Sequence, residues 1–400
     1  MRSMYASSDT ISRWEDIDFQ KATRSVRKLQ KRISTAFSTG EFDKVSSLQH
    51  KLVHSFYAKA LAVKHVTTTH GKNTSGVDNV IWKTPEQKFN AIEDLSFRGY
   101  KPKALKRVYI PKGNGGRRPL SIPTMKDRAM QTLYMFALEP IAEVTGDKHS
   151  YGFRKLRSAR KAVKACLNIL KSNLNYRWVL KADIKSCFDN INHEWLMRHI
   201  PMDKKRLNQF LKCGYVYNGK FTPIERGVPQ GGSLSGILCN MTLDGLESVL
   251  NEKFGHSVQM MRYADDIIVI AGSLQKVQAT VPMINNFLKI RGLSLSPEKT
   301  KICNIQHGFT FLGCKIYKDG TEILAEPKEA NIISWLQTIA KTIESDATCN
   351  NERSFYPTLQ MLRPQLMGWL KYYEFIATES SIKAAKYRAI ELIESLCSTN

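Results

Sequence analysis

The stretch Met260-Met261-Arg262-Tyr263-Ala264-Asp265-Asp266-Ile267-Ile268-Val269-Ile270 decides the fold of this chain. Two apolar runs flank Asp265 and Asp266, a pattern that predicts two antiparallel strands joined by a tight turn carrying both acids. A second apolar stretch, Arg177 to Phe188 (RWVLKADIKSCF), ends its strand on Asp183. A carboxylate at a buried strand end is costly unless it is paired, hydrogen-bonded or bound to metal, and three brought together repel one another without a cation. Magnesium suits such a set, because it takes hard oxygen ligands, few of them from protein, and completes its octahedron with water and substrate phosphates. A lone Asp-Asp is ordinarily a turn or a cap, so the reading depends on what surrounds it.

Outward from this centre, strand-like runs recur around Trp178 to Ile184, Met260 to Tyr263, Ile267 to Ala271 and Phe309 to Ile316, with helical patterns between them. They predict an α+β domain with helices packed on one face of a sheet. Upstream, Val108 to Pro111 and Pro119 to Ile122 bracket Asn114-Gly115, a strong hairpin signal, and the prolines place both runs at an edge. Lys106, Arg107, Lys112, Arg117 and Arg118 concentrate positive charge on that ribbon, which predicts phosphate binding. A second basic patch, with Arg154, Lys155, Arg157, Arg160, Lys161 and Lys164, leads into a helix whose N-cap is Ser158. The amino terminus reads as a helical hairpin, residues 15–38 and Phe42 to Ala60, with Lys28, Lys31 and Arg32 on a basic face. Residues 70–80 read as a loop and 85–97 as a helix; after Glu326 the periodicity is wholly helical and predicts three helices.

The net charge of +24, from 60 Lys+Arg against 36 Asp+Glu, points to a polyanionic partner, nucleic acid before a membrane surface. No apolar run of spanning length appears and the start lacks an apolar signal core, so the expected location is the cytoplasm. The 8 cysteines contain no C-x-x-C pair, which argues against zinc and against a disulfide framework and leaves core filling.

Y-A-D-D at 263–266, D-I-K-S-C-F at 183–188 and G-V-P-Q-G-G-S-L-S at 227–235 stand in the order of reverse transcriptase motifs. R-V-Y-I-P-K-G-N-G-G-R-R-P-L-S-I-P at 107–123, S-Y-G-F-R-K at 150–155, G-L-S-L-S-P-E-K-T-K-I at 292–302 and F-T-F-L-G-C-K-I-Y at 309–317 extend the match. The chain is most similar to the group II intron type, through S-G-V-D-N-V at 75–80 and G-W-L-K-Y-Y at 368–373. The resemblance implies a right-hand polymerase: a basic helical extension (1–69), fingers (70–176), a palm whose antiparallel sheet carries the acids (177–325) and a helical thumb (326–400). It also implies copying of an RNA template into cDNA from deoxynucleoside triphosphates.

By the same resemblance, Asp183 and Asp265 bridge two Mg2+ ions, for which Mn2+ can substitute, with Asp266 as third carboxylate and the Ile184 carbonyl as a further ligand. Lys112 and Arg118 grip the triphosphate. Phe188 lies under the sugar and clashes with a ribose 2′-hydroxyl, and Gln230 lies against the nascent base pair, Gly231 and Gly232 letting backbone approach nucleic acid. Lys299 is the candidate proton donor to pyrophosphate. Lys28, Lys31, Arg32, Arg107, Arg117, Arg154, Lys155 and Arg160 are the expected RNA contacts.

The pattern departs from the family where Asn79 follows Asp78 in place of the usual glycine. A retron-type enzyme is disfavoured because Val144-Thr145-Gly146 precedes the catalytic turn. Only 134 residues follow Asp266 (400 − 266), so an added endonuclease is not expected. Compact relatives of this kind include bacterial antiphage reverse transcriptases that work with a structured noncoding RNA, the leading expected role. The alternatives are an RNA-binding splicing cofactor, or maturase, and a mobile-element or diversity-generating enzyme.

Overall fold

The computed structural model describes residues 11–111, 115–347 and 356–398. The chain opens with α1 (Phe19–Ser38), α2 (Phe42–His54), α3 (Phe56–Thr68), α4 (Pro85–Asp94), β1 (Leu105–Pro111), β2 (Arg117–Ile122) and α5 (Met125–Thr145). It continues through α6 (Ala159–Ser172), β3 (Trp178–Asp183), α7 (Cys187–Asn190), α8 (His193–His199), α9 (Lys204–Leu211), β4 (Tyr215–Tyr217), β5 (Lys220–Thr222), α10 (Ser235–Leu243) and α11 (Leu246–Phe254). Then follow β6 (Val258–Tyr263), β7 (Asp266–Ala271), α12 (Leu274–Lys289), β8 (Lys301–Asn304), β9 (Phe309–Phe311), β10 (Cys314–Asp319) and β11 (Glu322–Pro327). Three helices close the sequence, α13 (Glu329–Ala347), α14 (Tyr356–Tyr373) and α15 (Glu379–Ser398), as the periodicity after Glu326 predicts.

These elements form two compact units, each assembled from separate stretches of chain. The first comprises Met1–Lys148, Ile184–Leu246 and Asn285–Ser294; the second comprises His149–Asp183, Glu247–Ile284 and Leu295–Asn400.

In the first unit, Asp18 caps α1 by accepting from the Gln20 and Lys21 amides, and Ala22, Val26, Ile33 and Ala36 form its buried stripe. The expected single helix from Phe42 to Ala60 is two, because Ser55 leaves the helical region at ψ 132°. Both α2 and α3 pack on α5, so their apolar spacing continues across the break and hides it. Helix α5 is buried nearly all round from Met125 to Ala142, as befits the centre of a helical layer. The sheet order is β2-β1-β4-β5. β1 and β2 pair antiparallel with Val108 opposite Leu120, confirming the ribbon, while β1 also pairs parallel with β4 at Leu105 and Lys106. Of the ribbon's two strands β2, with Pro119, is therefore the one at the sheet edge; Pro111 escapes conflict because β4 pairs only with the start of β1.

In the second unit the central sheet has the order β6-β7-β3-β8, antiparallel throughout. Val179, Leu180, Ala182 and Ile267 to Ala271 are buried in its middle strands. Helix α6 covers it with Val163, Cys166, Leu167 and Leu170. The single run expected over Phe309 to Ile316 is a hairpin: Leu312 and Gly313, at φ 46° and 84°, turn β9 into β10. Phe309, Phe311, Cys314 and Ile316 all enter one core, so the apolar alternation passes through the turn without a visible break. Helices α13 to α15 share a core of Ile332, Trp335, Ile339, Leu362, Ala385 and Ala389, and the Trp335 and Trp369 rings stack 4.2 Å apart. Among the described residues, Cys166, Cys187, Cys239 and Cys314 are buried, matching the core-filling reading, and no helix is long and apolar enough to cross a membrane.

Candidate active site

The three acids stand at one end of the central sheet of the second unit. Asp183, the last residue of β3, is the register partner of Asp266, the first residue of β7. Tyr263 also pairs with Asp266, so Ala264 and Asp265 form the two-residue turn, with Ala264 at φ 55°. The two facing carboxylates are treated differently. Lys299 Nζ lies 2.8 Å from Asp183 Oδ2, and that bond holds the ammonium above its ordinary pKa. Among the described residues, Asp266 Oδ1 is buried with no hydrogen-bond partner. Burial pushes the Asp266 carboxyl up to about 6, with the nearby Asp183 and Asp265 charges adding to the rise and Lys181 opposing it.

An unsatisfied, desolvated oxygen among three acids fits a divalent cation, which supplies the missing positive charge and prefers such hard donors. Among the described residues, no three Asp, Glu, His or Cys side chains are already gathered as a ligand cage. The expected convergence of three carboxylates is thus an in-register pair plus a turn neighbour, with Lys299 taking up part of the charge. Ile184, which follows Asp183, is buried.

Residues the sequence reading passed over support the turn. His149 to Tyr151 run beside β6, where Ser150 bridges Arg262 in parallel, the Tyr151 amide donates to the Arg262 carbonyl at 2.8 Å and the Arg262 amide to the His149 carbonyl at 2.9 Å. Arg262 is wholly buried, its Nη1 3.4 Å from the Ala264 carbonyl it donates to. A Cβ on Gly152 would come within 2.5 Å of the Ala264 amide nitrogen, so this glycine lets the preceding segment rest directly on the turn. Glu247 accepts from the His149 amide at 3.0 Å and meets the His149 ring at 2.6 Å. The available signal was the one charge, Arg262, inside an otherwise apolar run.

The nucleotide-binding candidates of the first unit share one backbone network. Phe188, half-buried in α7, accepts from the Val228 amide at 2.6 Å, and the Gln230 carbonyl accepts from the Ser121 amide of β2 at 2.7 Å. Arg118 is exposed on the same strand, opposite Ile110; Lys112 and Asn114 lie outside the described residues. The glycines of this loop lie against neighbouring protein atoms. A Cβ on Gly227 would meet the Asp189 and Phe188 carbonyl oxygens at 2.6 and 2.7 Å, one on Gly231 the Ser121 oxygen at 2.6 Å, and one on Gly232 the Gln131 side chain.

The RNA-contact candidates are dispersed. Lys28, Lys31 and Arg32 are exposed on α1, Arg117 on β2 and Lys155 after Gly152. Arg107 lies 3.9 Å from the Tyr215 ring centroid, Arg154 donates to the Ser150 carbonyl at 3.3 Å and Arg160 to the Lys371 carbonyl near the end of α14 at 2.9 Å, so these three are partly engaged within the protein.

Comparison with known proteins agrees with this arrangement. The family described as reverse transcriptase (RNA-dependent DNA polymerase) matches residues 110–316, and the N-terminal domain of reverse transcriptase matches residues 14–95. Protein YkfC of Escherichia coli is 29% identical over 345 residues, covering 73% of this chain and 88% of YkfC. Group II intron-encoded protein LtrA of Lactococcus lactis is 35% identical over 196 residues, 47% of this chain but only 32% of LtrA. Maturase-like protein 1 of Euglena gracilis is 24% identical, with 91% of this chain and 78% of that protein covered. With its α+β architecture and a family match that takes in the carboxylate turn and all four strands of the sheet that carries it, the chain belongs to the reverse transcriptases, the RNA-dependent DNA polymerases.

Proposed function

We propose that this chain extends a primer by copying an RNA template into DNA, with Asp183, Asp265 and Asp266 at the reacting centre. The observation that carries the reading is the in-register Asp183–Asp266 pair at the end of two central strands, one acid matched by Lys299 and the other left with a buried, unbonded oxygen. Asp183, Asp265, Asp266 and the Ile184 carbonyl would hold two Mg2+ ions, or Mn2+ in their place. Bound there, such cations supply acidity to the primer 3′-hydroxyl and charge for the leaving pyrophosphate. Lys299, 2.8 Å from Asp183, is assigned as the proton donor to that pyrophosphate.

Lys112 and Arg118 are assigned to the triphosphate, Phe188 to excluding the ribose 2′-hydroxyl, and Gln230 to the new base pair. Template RNA is gripped through phosphates by Lys28, Lys31, Arg32, Arg107, Arg117, Arg154, Lys155 and Arg160, so affinity falls steeply with salt.

The test is to purify the protein with the RNA that accompanies it, sequence that RNA, and supply divalent metal with labelled deoxynucleotides or ribonucleotides. The Asp265→Ala/Asp266→Ala variant runs alongside. DNA synthesis that disappears in the variant supports the polymerase. Enrichment of one structured noncoding RNA adds a dedicated template and takes the antiphage role into phage-infected cells. No incorporation on that RNA or on a generic primed template sinks the assignment. The long alignment with a relative called maturase-like favours a second reading, RNA holding during splicing. It predicts that the double variant keeps its RNA-dependent function.

A further inference from the structure

Between Gly152 and Ser158 the second unit carries a loop whose side chains and backbone are at odds. Phe153 and Leu156 have φ of 56° and 62°, a left-handed conformation that residues with bulky side chains rarely adopt. Both are also turned outward, Phe153 at 62% and Leu156 at 89% exposure. Leu156 is therefore kept against two preferences at once, that of its backbone and that of its apolar side chain.

The conformation is built. Arg154 and Arg157 both donate Nη1 to the Ser150 carbonyl, at 3.3 and 2.9 Å, and Lys161 Nζ donates to the Leu156 carbonyl at 2.6 Å. Ser158 then caps α6, its hydroxyl accepting from the Lys161 amide at 3.2 Å. At the other end Gly152 rests on Ala264 of the carboxylate turn. The loop thus fixes two apolar side chains in solvent next to the reacting centre. From Lys148 to Ala182 the sequence contains no Asp or Glu, so everything around them along the chain is neutral or positive.

A nucleic-acid strand offers both matching chemistries, phosphates for the cations and flat apolar faces for the exposed side chains. We propose that Phe153 and Leu156 form an apolar contact that packs against the bases or sugars of the nucleic-acid strand lying beside the catalytic turn. Stacking of this kind tolerates any base, so it adds grip without sequence preference. The inference rests on the polymerase reading of the neighbouring acids.

The experiment uses the full chain with Leu156→Gly and Phe153→Ala, a labelled RNA template annealed to a DNA primer, and three measurements: melting temperature, duplex affinity across a salt series, and incorporation at saturating duplex. Leu156→Gly is expected to melt no lower than the parent, because glycine relieves the left-handed backbone. It binds the duplex about tenfold more weakly. The slope of log affinity against log salt stays unchanged, since no phosphate contact is lost. Phe153→Ala weakens binding in the same way, and incorporation at saturation survives in both.

Parental affinity in both variants, with incorporation by the parent intact, overturns this inference and leaves the polymerase reading standing. A fall in melting temperature that accounts for the weaker binding overturns it in favour of a packing role. A parent chain that neither binds duplex nor incorporates nucleotides removes the polymerase reading and this inference with it.

Discussion

At the ends of β3 and β7 the second unit keeps a buried carboxylate, Asp266, with an oxygen that nothing among the described residues bonds; in the first unit, the loop from Gly227 to Gly232 meets each close approach by dispensing with a side chain. The first arrangement costs stability. The second is fully accommodated and serves to hold Phe188 and Gln230 in place. A destabilised centre in one unit and a closely fitted loop in the other make a division that mutation can take apart.

The largest effect is expected at the centre. Asp265→Ala/Asp266→Ala should lower primer extension by about a thousandfold or more while leaving the melting temperature unchanged or higher. A variant that retains activity within tenfold would dissolve the comparison. At the support, Gly227→Ala forces a Cβ onto two carbonyl oxygens at a φ of 84°, and should cost about 2–4 kcal/mol in urea denaturation. A cost near zero would mean that the loop is loose and the contrast illusory.

Asp266→Asn sharpens the comparison by separating charge from shape. The Asp266 carboxyl rises from 3.8 to about 6 through burial, so the folded chain holds this proton to higher pH than the unfolded chain does. Wild-type stability from this group is then full below about pH 4, falls as pH rises towards 6, and stays low above it, a difference of at most about 3 kcal/mol. The asparagine variant should be more stable at pH 7 by up to that amount, lack this pH-dependent fall, and gain less in melting temperature from added Mg2+ than the parent gains. The smallest effect is expected for Lys299→Met. Its pair with Asp183 is exposed on the lysine side, so denaturation should shift by no more than about 0.5 kcal/mol, and a larger loss would make the pair structural.

What could be read from the sequence followed local periodicity. The Y-A-D-D hairpin, the Asp183 strand, the basic ribbon and the three carboxy-terminal helices all announce themselves within a dozen residues, and each is present. The misses fall where neighbouring elements share one core. α2 and α3 keep a common apolar phase across Ser55, and β9 and β10 keep theirs across Leu312-Gly313, so the pattern continued where the backbone did not. At the site, the identities of the acids were legible, whereas the Lys299–Asp183 pairing, the bridge from Ser150 to Arg262 and the rest of Gly152 against Ala264 join segments that only tertiary folding brings together. Nothing local reveals that Ser121 and Gln131 crowd Gly231 and Gly232.

The position of β3 has a consequence for how the chain is made. Trp178 pairs with Ala271 on one side and Asn304 on the other, so this strand leaves the ribosome long before either neighbour exists. At synthesis rates of about 5–20 residues per second, it waits on the order of ten seconds with both edges open. Helix α6, made just before it, can shield one face, but not the unpaired amides and carbonyls along Val179, Leu180 and Ala182. Nascent chains arrested between β3 and β7 should therefore be aggregation-prone templates for one another, and ribosome pausing in that interval should lower the yield of soluble protein more than pausing after β8.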